Sequence, residues 1–193
     1  MKKLLLFLFL VPVLVFGQNR EKVAFQNSLF KGEYSEVLEQ PLWLEYKVLC
    51  PTGGASRKGM DFYTNDSIKT SNNADYASNV YDKGHLAPAA DFNCTSEMLY
   101  QTFSYLNCAL QNQYLNRGTW RLLEEYERNL ASQGTVSVKI VVEFKGKCIK
   151  LPTGATVPSG FFKYITVNGK TTAFYFKNEK PLSSDYMKYR IQN

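Results

Sequence analysis

His85 is the single histidine in 193 residues and stands in Tyr81-Asp82-Lys83-Gly84-His85-Leu86-Ala87-Pro88. A neutral imidazole near pH 7 can take a proton from water, which no other side chain here does without a large pKa shift. Gly84 beside it permits a tight backbone and close approach by a substrate. A lone histidine is more often an ordinary surface or core residue, so it needs partners before it means anything. Downstream lie Asn107-Cys108-Ala109-Leu110-Gln111, Asn116-Arg117-Gly118-Thr119-Trp120 and then Glu124. Asparagines so placed commonly cap helices or make turns. Asn116 at a helix start has a second use, because eight residues of helix, as far as Glu124, advance about 12 Å and roughly 80°. At that spacing Glu124 cannot readily share one ion directly with Asn116, but it can hold a water of the ion's shell. Such a site suits Mg²⁺, with Mn²⁺ as an alternative, since Mg²⁺ keeps several waters and takes few protein oxygens. Zinc suits it poorly, and one histidine rules out a site of two or three imidazoles. The third candidate is Arg57, in Gly54-Ala55-Ser56-Arg57-Lys58-Gly59. An arginine in such a loop is usually solvated, yet a guanidinium can brace a phosphate with two hydrogen bonds.

The elements that must carry these residues are readable in outline. Leu42 to Cys50 reads as a buried strand ending at the loop Pro51-Thr52-Gly53-Gly54. Ser56 to Ser78 is polar and irregular, and Tyr81 to Pro88 is a short strand or turn. Ser96 to Leu106 has helical spacing of Met98, Leu99, Thr102, Phe103 and Leu106, with Thr95 as N-cap. A longer helix runs from about Asn116 or Thr119 to Ser132, with Leu122, Leu123, Tyr126 and Leu130 on its apolar face. Strands follow at Thr135–Phe144, Phe161–Val167 and Thr171–Lys177, the last two joined by the hairpin signature Asn168-Gly169. Strands and helices without a regular βαβ rhythm predict an α+β fold: a mixed, mostly antiparallel sheet with packed helices.

With 45% hydrophobic, 15% aromatic and 21% charged residues the chain is neither disordered nor fibrous. Residues 1–17 read as a secretory signal peptide: Lys2 and Lys3, an apolar run from Leu4 to Phe16, then Gly17. Spanning a membrane takes about 18–20 apolar residues, so cleavage before Gln18 leaves residues 18–193 as one domain without a membrane anchor, secreted or periplasmic. Its balance is then 21 basic against 17 acidic residues, or +4, a mild bias compatible with nucleic acid. Four cysteines in an exported chain predict two disulfides. Cys94–Cys108 with Cys50–Cys148 is the favoured pairing, because the first pair closes a short loop.

Taken in order, these pieces resemble the DNA/RNA non-specific endonucleases, the ββα-metal (His-Me finger) family that includes endonuclease G. The family's D-R-G-H and L-A-P-A-x-D read here as Asp82-Lys83-Gly84-His85 and Leu86-Ala87-Pro88-Ala89-Ala90-Asp91. Its S-N-x-x-P-Q, F-N-x-G-x-W and L-E read as Leu106 to Gln111, Leu115 to Trp120, and Leu123-Glu124. Pro41 to Tyr46 resembles its early P-x-W-x-x-Y strand, and Val157 to Lys163 its later V-P-x-x-F-x-K strand. The chain departs from the pattern at Lys83, Leu106 and Leu110, and Lys83 keeps the charge of the usual arginine while losing its bidentate fork.

The resemblance implies metal-dependent hydrolysis of phosphodiester bonds in DNA and RNA, leaving 5′-phosphate and 3′-hydroxyl ends. It implies His85 as general base, Asn116 as direct ligand of one Mg²⁺, and Glu124 as orienter of the ion's waters. Asn107 would position the phosphate or support the metal shell, and Arg57 would neutralise transition-state charge. Asp82 and Lys83 would be supporting residues, with Asp82 fixing the loop under His85. A catalytically inactive, secreted nucleic-acid binder is the alternative.

Overall fold

The computed structural model describes residues 19–192, so the signal peptide expected over residues 1–17 lies outside the described residues. Six antiparallel strands form the main sheet: β1 (Val23–Gln26), β2 (Phe30–Ser35), β3 (Gln40–Lys47), β6 (Val136–Glu143), β7 (Gly160–Val167) and β8 (Lys170–Lys177), in the order β1-β2-β3-β6-β7-β8. A separate hairpin pairs β4 (Tyr81–His85) with β5 (Cys108–Asn112). Three α-helical stretches, α1 (Ser96–Gln101), α2 (Gln113–Leu115) and α3 (Arg121–Leu130), and several short 3-10 turns complete the described fold. The α+β fold expected from the sequence is the one observed.

Period-two patterning builds the sheet. Along β6 every other residue from Val136 is buried, so Val136, Val138, Ile140 and Val142 enter the core while Ser137, Lys139 and Val141 face outward. The β7–β8 turn places Asn168 at φ 49° and Gly169 at φ 74°, the two positive values that a type I′ hairpin needs. Against the inner sheet face, α3 lays Leu123 and the preceding Trp120, both fully buried among Ile140, Phe161, Phe174 and Phe176. Burying one leucine fully is worth about 1.5–3 kcal/mol, so Leu123→Ala is the simplest way to loosen this helix. Thr95 caps α1 as expected, accepting from the Met98 N–H.

Two polar side chains, one of them buried, dock the β4–β5 hairpin on the main sheet. Gln40 Oε1 accepts from the Leu110 N–H at 2.9 Å. On the other flank Asn178 accepts from the Asn112 N–H and donates to the Leu110 carbonyl. Both residues satisfy backbone groups that the two-stranded hairpin leaves unpaired.

The disulfide expectation needs correction. Cys50 pairs with Cys94, and Cys108 and Cys148 are free. The N–H groups of Leu49 and Cys50 both donate to the Asp91 carbonyl, which brings the end of β3 beside the turn leading into α1. Cys108 is held elsewhere, fully buried on β5 with its thiol donating to Tyr76 Oη at 3.2 Å. We expect Cys50→Ser/Cys94→Ser to lose about 2–4 kcal/mol of unfolding free energy, read by urea denaturation under oxidising conditions.

Candidate active site

Residues from four places in the chain line one cleft of about 680 Å³: Arg57 from the irregular segment, Asp82, Lys83 and His85 from β4, Asn116 after α2, and Glu124 from α3. Strand alternation sends Lys83 and His85 to the same side of β4. Gly84 between them is required by the hairpin rather than by a substrate. A Cβ there would stand 2.5 Å from Gln111 Oε1, because the buried Gln111 side chain packs across the strand.

The His85 ring lies against Phe62 and Phe103, with ring centroids 4.7 and 5.0 Å away. Its Nε2 is buried without a hydrogen-bond partner. Burial, and then the Arg57 charge, push its pKa down from 6.5 to about 3. The imidazole is therefore neutral at neutral pH, the state a general base needs.

On the facing wall the chain leaves α2 through a turn, Asn116–Trp120, kinked at Gly118 (φ −105°, ψ −110°), before α3 begins. Here the turn lets Asn116 and Glu124, from opposite sides of the break, line the same cleft. Asp82 does not prop the loop under His85 as the sequence predicts; it reaches across to this turn. Its Oδ2 accepts from Asn116 Nδ2 at 2.9 Å, and both carboxylate oxygens accept from Arg117. Burial raises the Asp82 pKa, but the bonds from Arg117 and Asn116 outweigh it and hold the group below the usual carboxylate range. With Nδ2 committed to Asp82, the Asn116 amide is oriented and its Oδ1 is left to serve as an oxygen ligand.

Asn107 also differs from expectation. It is fully buried, its Oδ1 accepting from the Ala87 N–H at 2.7 Å and its Nδ2 donating to the Ala87 and Thr102 carbonyls at 2.9 Å. With those bonds made inside the protein it does not line the cleft. It clamps the segment just after His85.

The donor set fits a hard divalent cation that retains most of its waters. Among the described residues no group of three or more His, Cys, Asp and Glu side chains could cage an ion. What the cleft offers is one oriented amide oxygen and the Glu124 carboxyl. Burial pushes that carboxyl up to about 7, against the opposing charges of Lys163 and Arg128, and a cation beside it would offset the cost of ionising it. A second groove, of about 670 Å³, lies over the outer face of the sheet, but its Lys31 and Lys139 are both paired with Glu45 and it holds no histidine.

A hairpin whose first strand ends on a histidine, followed by a helix that presents an amide and a carboxyl to that histidine, defines a ββα-metal site on an α+β scaffold. Comparison with known proteins agrees. The family model for DNA/RNA non-specific endonucleases matches residues 14–192, and the chain belongs to that family. It is 34% identical to a nuclease of Nostoc sp. over 130 residues, 60% of this chain and 47% of that protein. It is 29% identical to a nuclease of Serratia marcescens over 168 residues, 77% of this chain and 62% of the relative. The chain thus spans roughly half to three-fifths of the length of these two relatives. A chain in the crystal structure of the EndoG/EndoGI complex superposes with a TM-score of 0.76 at 22% identity, covering 88% of this chain and 80% of its own, a likeness of fold.

Proposed function

We propose that the chain is an exported, divalent-metal-dependent endonuclease that hydrolyses phosphodiester bonds of DNA and RNA without sequence preference, leaving 5′-phosphate and 3′-hydroxyl ends. The observation that carries this reading is the convergence of neutral His85, oriented Asn116, Glu124 and Arg57 on one cleft. His85 takes the proton of the attacking water. Lys83, Arg117 and Arg121 are each paired with a carboxylate, whereas Arg57 makes no ion pair among the described residues, so Arg57 is free to meet the charge that builds on the phosphate. Asn116 through Oδ1 would hold the cation, and Glu124 would orient its waters. A bound divalent cation, Mg²⁺ or Mn²⁺, supplies charge neutralisation at the phosphate and a water acidic enough to protonate the leaving oxygen. Export is supported by the apolar leader in the sequence and by the Cys50–Cys94 disulfide.

The test incubates protein from Gln18 onward, made under oxidising conditions, with supercoiled plasmid and with single-stranded RNA, in Mg²⁺ and then in EDTA. Degradation of both in Mg²⁺ alone is expected; intact substrates in every lane would leave the inactive binder. A second outcome concerns salt. With most cleft cations already paired, few phosphates are contacted, and log affinity should fall against log salt with a slope of only about −1 to −3. Binding titrations in EDTA at several salt concentrations read that slope.

A further inference from the structure

Lys83 is the one departure from the family's D-R-G-H pattern, and the structure shows what it touches. Its Nζ donates to Asp61 Oδ1 at 2.8 Å and also to Asn73 Oδ1. It stands 5.4 Å from the Phe62 ring centroid and 5.7 Å from that of Tyr105. Phe62 in turn packs on His85 and on Phe103. Arg57 belongs to the same segment, four residues before Asp61, in a turn closed by the Met60 N–H to the Arg57 carbonyl. Between Val48 and Asn72 that segment forms no strand or helix of more than one bridge; backbone bonds anchor it at Ala55, to the Asn93 carbonyl, and at Tyr63, with Phe103 and Tyr105, and the Lys83 tie to Asp61 falls between those anchors.

We propose that Lys83 is a positioning residue: it locks the segment carrying Arg57 and Phe62 onto β4, and so holds the wall of His85 and the phosphate-facing guanidinium in place instead of binding phosphate itself. The inference rests on the nuclease reading above and specifies how this chain works without the family's arginine. An ammonium group is a compact point charge with three donors. Two of those donors are spent on Asp61 and Asn73, and the aromatic faces of Phe62 and Tyr105 flank the charge. Little of it is left to offer a substrate.

Three variants measured in Mg²⁺ on a defined oligonucleotide separate positioning from phosphate binding. Lys83→Met should lower kcat by about 10- to 100-fold, the cost typical of small misplacements at a reacting centre, with KM within about twofold and the salt slope of binding unchanged. Lys83→Arg, which can still pair with Asp61, should return most of kcat. Asp61→Asn, a change at an exposed side chain that leaves folding intact, should lower kcat in the same direction, and the double variant should be no worse than Lys83→Met alone. Lys83 as a phosphate ligand predicts the reverse: raised KM in Lys83→Met, a slope shallower by about 0.7–0.9, and an Asp61→Asn variant that binds substrate more tightly because it frees the lysine. Any one of those three results overturns the proposal. An inactive parent overturns the nuclease reading itself, and the proposal with it.

Discussion

Replacing His85 with alanine is expected to cut Mg²⁺-dependent cleavage of both plasmid and RNA by about 10²–10⁴-fold, the usual cost of losing a general base. Substrate binding in EDTA should change little, because the phosphate-facing charge belongs to Arg57. Nearly full activity in His85→Ala would remove the histidine from the mechanism. A second readout comes from titration. Burial and Arg57 hold the folded imidazole near pKa 3, against 6.5 for the unperturbed side chain. Between those values the unfolded chain binds a proton that the folded chain refuses, so stability is full above about pH 6.5 and falls as pH drops toward 3. The melting temperature of the parent should therefore fall over that window more steeply than that of His85→Ala. The acid limb of the rate profile should not report His85, which stays neutral and competent as a base well below pH 6.

How much of this was legible in the sequence depends on where each feature is encoded. His85, Asn116 and Glu124 stand in short motifs with fixed spacing, and the cleft that gathers them can be anticipated from the chain. The β7–β8 hairpin was legible because Asn168-Gly169 encodes its turn locally, and α3 because its leucines recur with helical period. β1 and β2 are not legible: VAFQ and FKGEYS are short, and β1 is half-exposed at the sheet edge, so neither gives a strong signal. β5 gives no alternating signal, because Cys108, Ala109, Leu110 and Gln111 are all buried. The disulfide depended on two backbone bonds to the Asp91 carbonyl, which no cysteine spacing reveals. Asn107, Asp82 and Lys83 stand in motifs, but the groups they bond lie up to 35 positions away, so the motifs alone do not show what they hold. The buried face of α3 shows the same limit: Glu127 sits among its apolar positions and reads as a solvated charge until β7 supplies Lys163.

That pair sets the largest stability effect expected here. Lys163 Nζ lies 2.6 Å from Glu127 Oε2, with both side chains at 0% exposure. Tyr46 donates its hydroxyl to Glu127 Oε1 at 2.5 Å, and the Lys163 ammonium stands 4.8 Å from the centre of the Trp120 ring. The pair thus ties β3 and β7 to α3 one turn beyond Glu124. Removing one charge leaves the other buried without its counter-ion, which typically costs about 3–5 kcal/mol. Lys163→Met should lose that much in urea unfolding. Lys163→Met/Glu127→Leu removes both charges, so it should recover a large part of the loss, with the unpaired Tyr46 hydroxyl setting the remainder. A double variant as unstable as the single would mean that hydrogen bonding to Tyr46, rather than charge pairing with Lys163, holds α3 against the sheet.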